Sequence, residues 1–293
     1  MKIDIFNFNN EYELLELRMR ENWDFFDKFI LIEGDHFYSG EKRNSIKNNI
    51  FFKNNFEWAQ KKLTIYTANL KNEVISGFDN DILQRKFAEK ILNNFNDEDI
   101  LFYSAVDEIP NVDICKNLIF HKELPIVLEQ KFFYYFLNGR IINHQWNGTI
   151  IFNKKILNKR NLVDLEKDRY LAKNFIIYKD GGWHFSYLGT HKRIFEKIKH
   201  FTHQEYNTKD YLDENNLINK IKNGKDIFGR VKGDPALLGN DEMIIKYVRI
   251  DKSFPEYLKK NKKKYKSLIN KIDLKFLIDN QIKKILKFIK HGN

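Results

Sequence analysis

Two short stretches carry side chains able to act on a phosphorylated substrate. The first is Ala105-Val106-Asp107-Glu108-Ile109-Pro110, directly after the apolar run Ile100 to Ser104. The second is Glu33-Gly34-Asp35 with Ser39, Gly40 and Lys42, after the apolar run Phe29 to Ile32. An acidic pair leaving a buried strand supplies hard oxygen ligands, which suit Mg²⁺ or Mn²⁺ bridging a diphosphate. An acidic helix cap has the same spacing, so the pair by itself leaves both readings open.

The elements that must position these residues are strands and helices in alternation. Ligands of open α/β sheets bind beyond the carboxyl ends of the strands, where the strand order switches, and both stretches sit at such ends. Lys2 to Phe8 reads as a strand, and Asn10 with Glu13 resembles a capping box opening a helix through about Asn22. Lys62 to Thr67 is a further strand, and Leu83, Phe87, Ile91 and Phe95 repeat every four residues, predicting a helix over Asp81 to Asn94. This alternation argues for an α/β fold with a largely parallel sheet over roughly the first 110 residues. The middle is richer in strands, at Val127 to Phe136 and Thr149 to Phe152, with Asn147-Gly148 as a turn. After Asp213 the chain is expected to be helical and basic. Leu274, Ile278, Ile282, Ile285 and Ile289 form a stripe opposite Lys275, Lys283, Lys287 and Lys290, which suits packing on the domain or peripheral contact of residues 273–290 with an anionic membrane. The expected organisation is one domain over residues 1–235 and a basic helical extension over 236–293.

Composition narrows the class. The chain has 293 residues, 42% hydrophobic and 31% charged, enough for a full core and unlike a disordered segment. No apolar run approaches the roughly 20 residues that span a bilayer. Cys115 is the single cysteine, which fits a reducing compartment, and the expected location is the cytoplasm. The formal charge of +11 implies attraction to an anion without choosing among nucleic acid, lipid and phosphorylated substrate. The sequence lacks Gly-x-Gly-x-x-Gly, Walker and Gly-x-Ser-x-Gly patterns, and its histidines form no zinc set.

Several motifs in order resemble one family. Asp4-x-Phe6-x-Phe8-x-Asn10-Glu11 with Leu14-Leu15 and Arg18, then Glu33 with Ser39-Gly40-x-Lys42, resembles the opening of glycosyltransferase family 17. Ser104-x-x-Asp107-Glu108-Ile109-Pro110 resembles its Ser-Asp-Val-Asp-Glu-Ile-Pro motif, and Gly182-Trp183-His184 to Gly189 its Gly-Trp-His block. His203-Gln204-Glu205-Tyr206-Asn207 and Gly224 to Arg230 are similar to segments of its microbial members, so the likeness runs from about Lys2 to Arg230.

The resemblance implies a GT-A fold, Rossmann-like, with a mixed and mostly parallel sheet. It implies inverting transfer of N-acetylglucosamine from a uridine diphosphate donor to a glycan acceptor, with Mn²⁺ or Mg²⁺ and with no nucleic-acid partner. Asp107 is the expected metal ligand and His184 its complement. Glu33, Lys42, Arg85 and Arg230 are candidates for the donor, and Trp183, Tyr187 and Trp146 for stacking on sugar. For the base that takes the acceptor proton, Glu205 is favoured and Glu108, Asp180 and Asp241 are rivals. Ala105 departs from the family pattern, which places the first Asp of an Asp-x-Asp motif there. The competing class is a non-catalytic protein whose basic surface binds a polyanion or a membrane surface.

Overall fold

The computed structural model describes residues 1–118, 124–234, 237 and 241–271. Its strands are β1 (Lys2–Asn7), β2 (Lys28–Gly34), β3 (Leu63–Ala68), β4 (Ile100–Ala105), β5 (Glu108–Pro110), β6 (Ile126–Tyr134), β7 (Gly139–Phe152), β8 (Ile176–Ser186) and β9 (Ile245–Tyr247). They form one mixed sheet in the order β3-β2-β1-β4-β7-β6-β8-β5, with β9 paired to β7. The half β3-β2-β1-β4 is wholly parallel. In the other half β6 and β8 are parallel, while β4–β7, β6–β7, β5–β8 and β7–β9 are antiparallel.

The helices are α1 (Tyr12–Asn22), α2 (Ile50–Asn55), α3 (Gly77–Leu92), α4 (Val112–Cys115), α5 (Lys154–Lys159), α6 (Leu162–Arg169), α7 (His191–His200), α8 (Glu214–Lys222) and α9 (Glu256–Lys260). Alternate residues of the parallel strands enter two different cores, as the two-residue period of a strand requires. Ile3, Ile5, Ile30, Ile32, Leu101 and Tyr103 pack with Ala88, Ile91 and Leu92 of α3 and with Leu162 and Leu165 of α6. Phe6, Phe29, Leu31 and Phe102 pack with Leu15 and Met19 of α1. Burial on both faces explains why these strands read as continuous apolar runs. Among the described residues no helix is long and apolar enough to cross a membrane.

Three local expectations change. No capping box forms at Asn10 and Glu13: α1 starts after Glu11 without a side-chain cap, and Asn10 takes a left-handed φ of 71°. The side chain of Asn10 accepts from Arg43 and Glu13 pairs with Arg193, so tertiary partners outcompete the local cap. The capping box is instead that of α3, between Ser76 and Asp79. Asn147-Gly148 is not a turn, because both lie inside β7. A Cβ on Gly148 would stand 2.1 Å from Gln130 Oε1, so glycine makes room there for a neighbouring strand's side chain. Beyond α8 the described chain is mostly loop, with β9 and α9, in place of continuous helix. The stripe at 274–289 lies outside the described residues.

The crevice follows from the topology. The chain runs from β1 to β2 and β3 on one side, then returns to place β4 on the other side of β1. Two adjacent parallel strands whose connections leave in opposite directions open a crevice at their carboxyl ends. There Asn7 of β1 is in register with Ala105 of β4, and the Val106 N–H donates to the Asn7 carbonyl at 2.9 Å.

Candidate active site

Arg18 holds the acidic loop in place. It lies fully buried on α1, donates through Nε and Nη2 to the Asp4 carboxylate at 2.8 and 2.6 Å, and donates to Ser104 Oγ at 2.8 Å. Its Nη1 donates to the carbonyls of both Ala105 and Glu108, each at 2.8 Å. One guanidinium therefore ties β1, β4 and β5 together and fixes the turn carrying Asp107. Planar multi-donor geometry is what Arg offers and Lys does not.

The loop opens into a cavity of about 300 Å³ between the ends of β1 and β4, the β6–β8 strands and α7. Asp107, 7% exposed, accepts from Lys197 Nζ at 2.9 Å, and its Oδ2 lies 3.6 Å from His184 Nε2. Burial works against its charge, but the Lys197 ammonium and His184 hold its carboxyl well below the usual range. Lys197 also donates to Glu11 Oε1 at 3.0 Å, and this carboxylate pair drives its own value up despite burial. The His184 ring stacks on Phe132 at 4.7 Å between centroids and lies against Trp146, while its Nδ1 is buried without a hydrogen-bond partner. Arg230 lines the same cavity, held by Asp226 at 2.8 Å and donating to the Tyr134 hydroxyl at 3.0 Å.

Along the cavity floor runs a second set of charges. Glu108 accepts both Arg169 nitrogens at 2.8 Å, the Trp146 indole N–H at 2.6 Å and the Ala105 N–H at 3.0 Å. Burial pushes its carboxyl up, yet Arg169 overcomes this and holds it below the usual range. Glu166 of α6 pairs with Arg85 through Oε2, while its Oε1 is buried without a partner. Here burial prevails over the pull of Arg169 and Arg85, and the value is raised.

A model of glycosyltransferase family 17 matches residues 2–271, nearly the whole chain. The chain belongs to glycosyltransferase family 17. It is a glycosyltransferase built on a mixed α/β sheet, and the match runs past Arg230, where the legible motifs stop. No curated protein matches it in sequence. Among solved structures it is similar to an inositol-1-phosphate CTP transferase from T. maritima, at 10% identity over 61% of this chain and 84% of that one, with a TM-score of 0.37. It is also similar to the galactosyltransferase LgtC in complex with donor and acceptor sugar analogues, at 9% identity over 58% of this chain and 63% of that one, with a TM-score of 0.32.

Of the residues singled out in the sequence, Ala105, Asp107, Glu108, His184, Arg85 and Arg230 line the family 17 cavity. Six others stand elsewhere, two of them the exposed Asp180 and Asp241, which pair with Lys131 and Lys232. Glu33 is buried beneath the loop that follows β2, accepting from Ser45 Oγ and the Ile46 N–H and lying 3.4 Å from Arg43, so it fastens that loop. Lys42 is 70% exposed beside Asp35, away from the cavity lining. Trp183 is buried in the core of Leu14, Leu17 and Phe185, and its indole donates to the Ser253 carbonyl. The reason is the strand period: with His184 facing the cavity, its neighbour on β8 faces the other way. Glu205 is 59% exposed, accepts from His203 and is not part of the lining. Glu108 lines the cavity, but Arg169, Trp146 and the Ala105 N–H take up its oxygens. Arg85 is likewise tied to Asp81 and Glu166.

Sequence reasoning passed over Lys197, Glu11 as a site residue, Glu166 and Arg169. A signal for Lys197 existed. Ile194, Lys197, Ile198 and Phe201 fall on one helical face, and a lysine on an otherwise apolar face needs an internal partner. Glu166 and Arg169 are an i, i+3 pair on α6 that looks like an ordinary surface pair; only burial separates it from one.

The structure brings Asp107 and His184, the two expected metal ligands, together at 3.6 Å, but position 105 adds no second carboxylate beside them. Among the described residues no group of three His, Cys, Asp or Glu side chains is placed to hold a metal. The methyl of Ala105 stands where a second carboxylate is expected, and an ammonium already lies against the Asp107 oxygen that would face a cation. Mg²⁺ takes oxygen ligands at about 2.0–2.1 Å in near-octahedral array, usually from one or two carboxylates together with substrate phosphates and water.

Proposed function

We propose that the chain transfers N-acetylglucosamine from a uridine diphosphate donor to a hydroxyl of a glycan, with inversion at the anomeric carbon. The observation that carries this reading is the cavity at the β1/β4 crevice, which sets two held cations, Lys197 and Arg230, beside buried carboxylates. Such a crevice suits a nucleotide diphosphate, and fixed positive charge stabilises the polyanion that leaves. The choice of sugar is supported by the resemblance of the ordered motifs to glycosyltransferase family 17.

Inversion needs one carboxylate to accept the acceptor hydroxyl proton as the new bond to the anomeric carbon forms. Glu166 is the carboxylate of this cavity with a buried oxygen lacking a hydrogen-bond partner, and its other oxygen is fixed by Arg85. A raised value brings it nearer the working pH, as a base requires. We assign it that role in place of Glu205 and Glu108. Uridine diphosphate sugars with a panel of glycan acceptors, assayed by nucleotide release and product mass with and without Mn²⁺, test the reading. UDP-N-acetylglucosamine is expected to give product, and Glu166→Gln to lower kcat by about 10²–10⁴-fold while UDP affinity stays within a few-fold. Failure of every nucleotide sugar to bind or turn over, in either metal condition, would overturn the donor reading; undiminished kcat in Glu166→Gln would remove the base assignment alone.

A further inference from the structure

Three features of the cavity belong together. The carboxylate that the Asp-x-Asp pattern places at position 105 is absent, and Ala105 presents only a methyl there. The remaining carboxylate, Asp107, is engaged at 2.9 Å by the ammonium of Lys197, which Glu11 holds from its other side at 3.0 Å. Lys197 is no loose surface side chain: it is 22% exposed and rises from α7 between Ile194 and Ile198, both fully buried. The amine lies over the Tyr187 ring at 5.4 Å, and Arg230 brings a second cation to the same cavity, fixed through Asp226 and Tyr134.

We infer that the Lys197 ammonium performs the charge neutralisation a divalent cation supplies at an Asp-x-Asp site, so that this enzyme binds its donor diphosphate and expels it without metal. The inference rests on the nucleotide-sugar reading above and specifies how that site meets the diphosphate. In the transfer the bond from the anomeric carbon to the β-phosphate oxygen breaks, and its electron pair stays on that oxygen. The acceptor oxygen forms the new bond to carbon and its proton passes to the carboxylate base. The leaving diphosphate gains one negative charge, and Lys197 with Arg230 meet it by hydrogen bonding, without proton transfer. Asp107 and Glu11 are then positioning residues that aim the amine. A lysine is suited to this because its ammonium is a compact point charge with three donors, of which two are already directed by carboxylates.

Calorimetric titration of UDP into the full chain, stripped with EDTA and then repeated in excess Mn²⁺ or Mg²⁺, tests the idea, with turnover followed in parallel. The expected result is a UDP dissociation constant that agrees within about twofold in all three conditions, with turnover surviving EDTA. Lys197→Met should weaken UDP binding by more than about tenfold, equivalent to at least about 1.4 kcal/mol. Lys197→Arg, which keeps the charge, should stay within a few-fold of wild type. Circular dichroism and melting of each variant show whether it folds; if Lys197→Met does not, the EDTA comparison on the wild-type protein still decides. UDP binding that is lost in EDTA and restored by Mn²⁺ would overturn the inference and leave the donor reading standing. Folded Lys197→Met binding UDP as wild type does would also overturn it. Absence of UDP binding in every condition would instead bring down the donor reading on which it rests.

Discussion

Asp107 and Glu108 are consecutive carboxylates with different partners, and the partners decide what each can do. Asp107 faces the cavity and an ammonium, whereas Glu108 turns inward to a bidentate guanidinium and an indole N–H. Buried ion pairs such as Glu108–Arg169 contribute little when intact, but removing one partner costs about 3–5 kcal/mol because the other is left charged and unpaired. The pH dependence follows from the direction of the shift. Glu108 ionises below the ordinary 4.5 of a glutamate, so its contribution is fully present above about pH 4.5 and is lost as pH falls through the lower folded value. Glu108→Gln should therefore be less stable than wild type by a few kcal/mol at neutral pH, with the gap closing in acid. Urea melts from neutral pH downward would show this, and a gap constant across the acid range would mean that the pair is not ionised in the folded protein. Glu166, whose value is raised, shares Arg169 with Glu108 and feels its charge, so the difference between the two proteins reports on the coupled pair of carboxylates.

At the scale of elements, the site depends on how closely β5 can lie against β8. Glu108 is in register with His184, Ile109 with Trp183 and Pro110 with Gly182, so three residues of β5 set the height of His184 over Asp107. Gly182 permits this approach. A Cβ there would stand 2.2 Å from the Ile109 carbonyl oxygen and 2.9 Å from Gln130 Nε2. The first contact is backbone, which cannot swing aside. Gly182→Ala is expected to cost about 1–3 kcal/mol, the usual penalty for overpacking. Misplacement of the catalytic groups by about 1 Å can cost on the order of 10²-fold in turnover. Urea unfolding and kcat measured together are the check; wild-type values for both would show that β5 and β8 have slack.

At the scale of the whole molecule, the last described residues close the core under α1. Tyr265 and Leu268 are buried among Leu14, Leu17, Phe133 and Leu137, and the Leu268 carbonyl accepts from the Leu137 N–H at 2.8 Å. Asn138 adds two bonds to the backbone of Asn270, and Lys264 pairs with Glu16. These contacts support the helix that carries Arg18, and so reach the cavity indirectly. A chain ended at Asn261 should be less stable than one ended at Lys271 by about 3–6 kcal/mol, from burial of two large side chains at about 1.5–3 kcal/mol each. Comparing two truncations isolates residues 262–271, and equal urea midpoints would show that this segment is dispensable to the fold.

The sequence by itself did not show that residues 108–110 form β5, but it determined the alternating elements, the apolar strands buried on both faces, the family and the place of Ala105 to Glu108 at the crevice. Each of these is written in local periodicity or in ordered motifs, and periodicity survives without knowledge of distant contacts. Only the tertiary structure decided which charged residues are free and which are spent. Glu33, Glu108 and Arg85 are acidic or basic residues near the expected loops, yet their partners Arg43, Arg169 and Glu166 come from elsewhere in the chain. Trp183 and His184 are neighbours in one motif, and the pleat of β8 sends one to the core and the other to the cavity. Lys197 lies ninety residues from Asp107 in sequence and 2.9 Å from it in space. Spacing along a chain cannot report that contact, because an ion pair is set by packing of α7 across the sheet and not by the residues on either side of it.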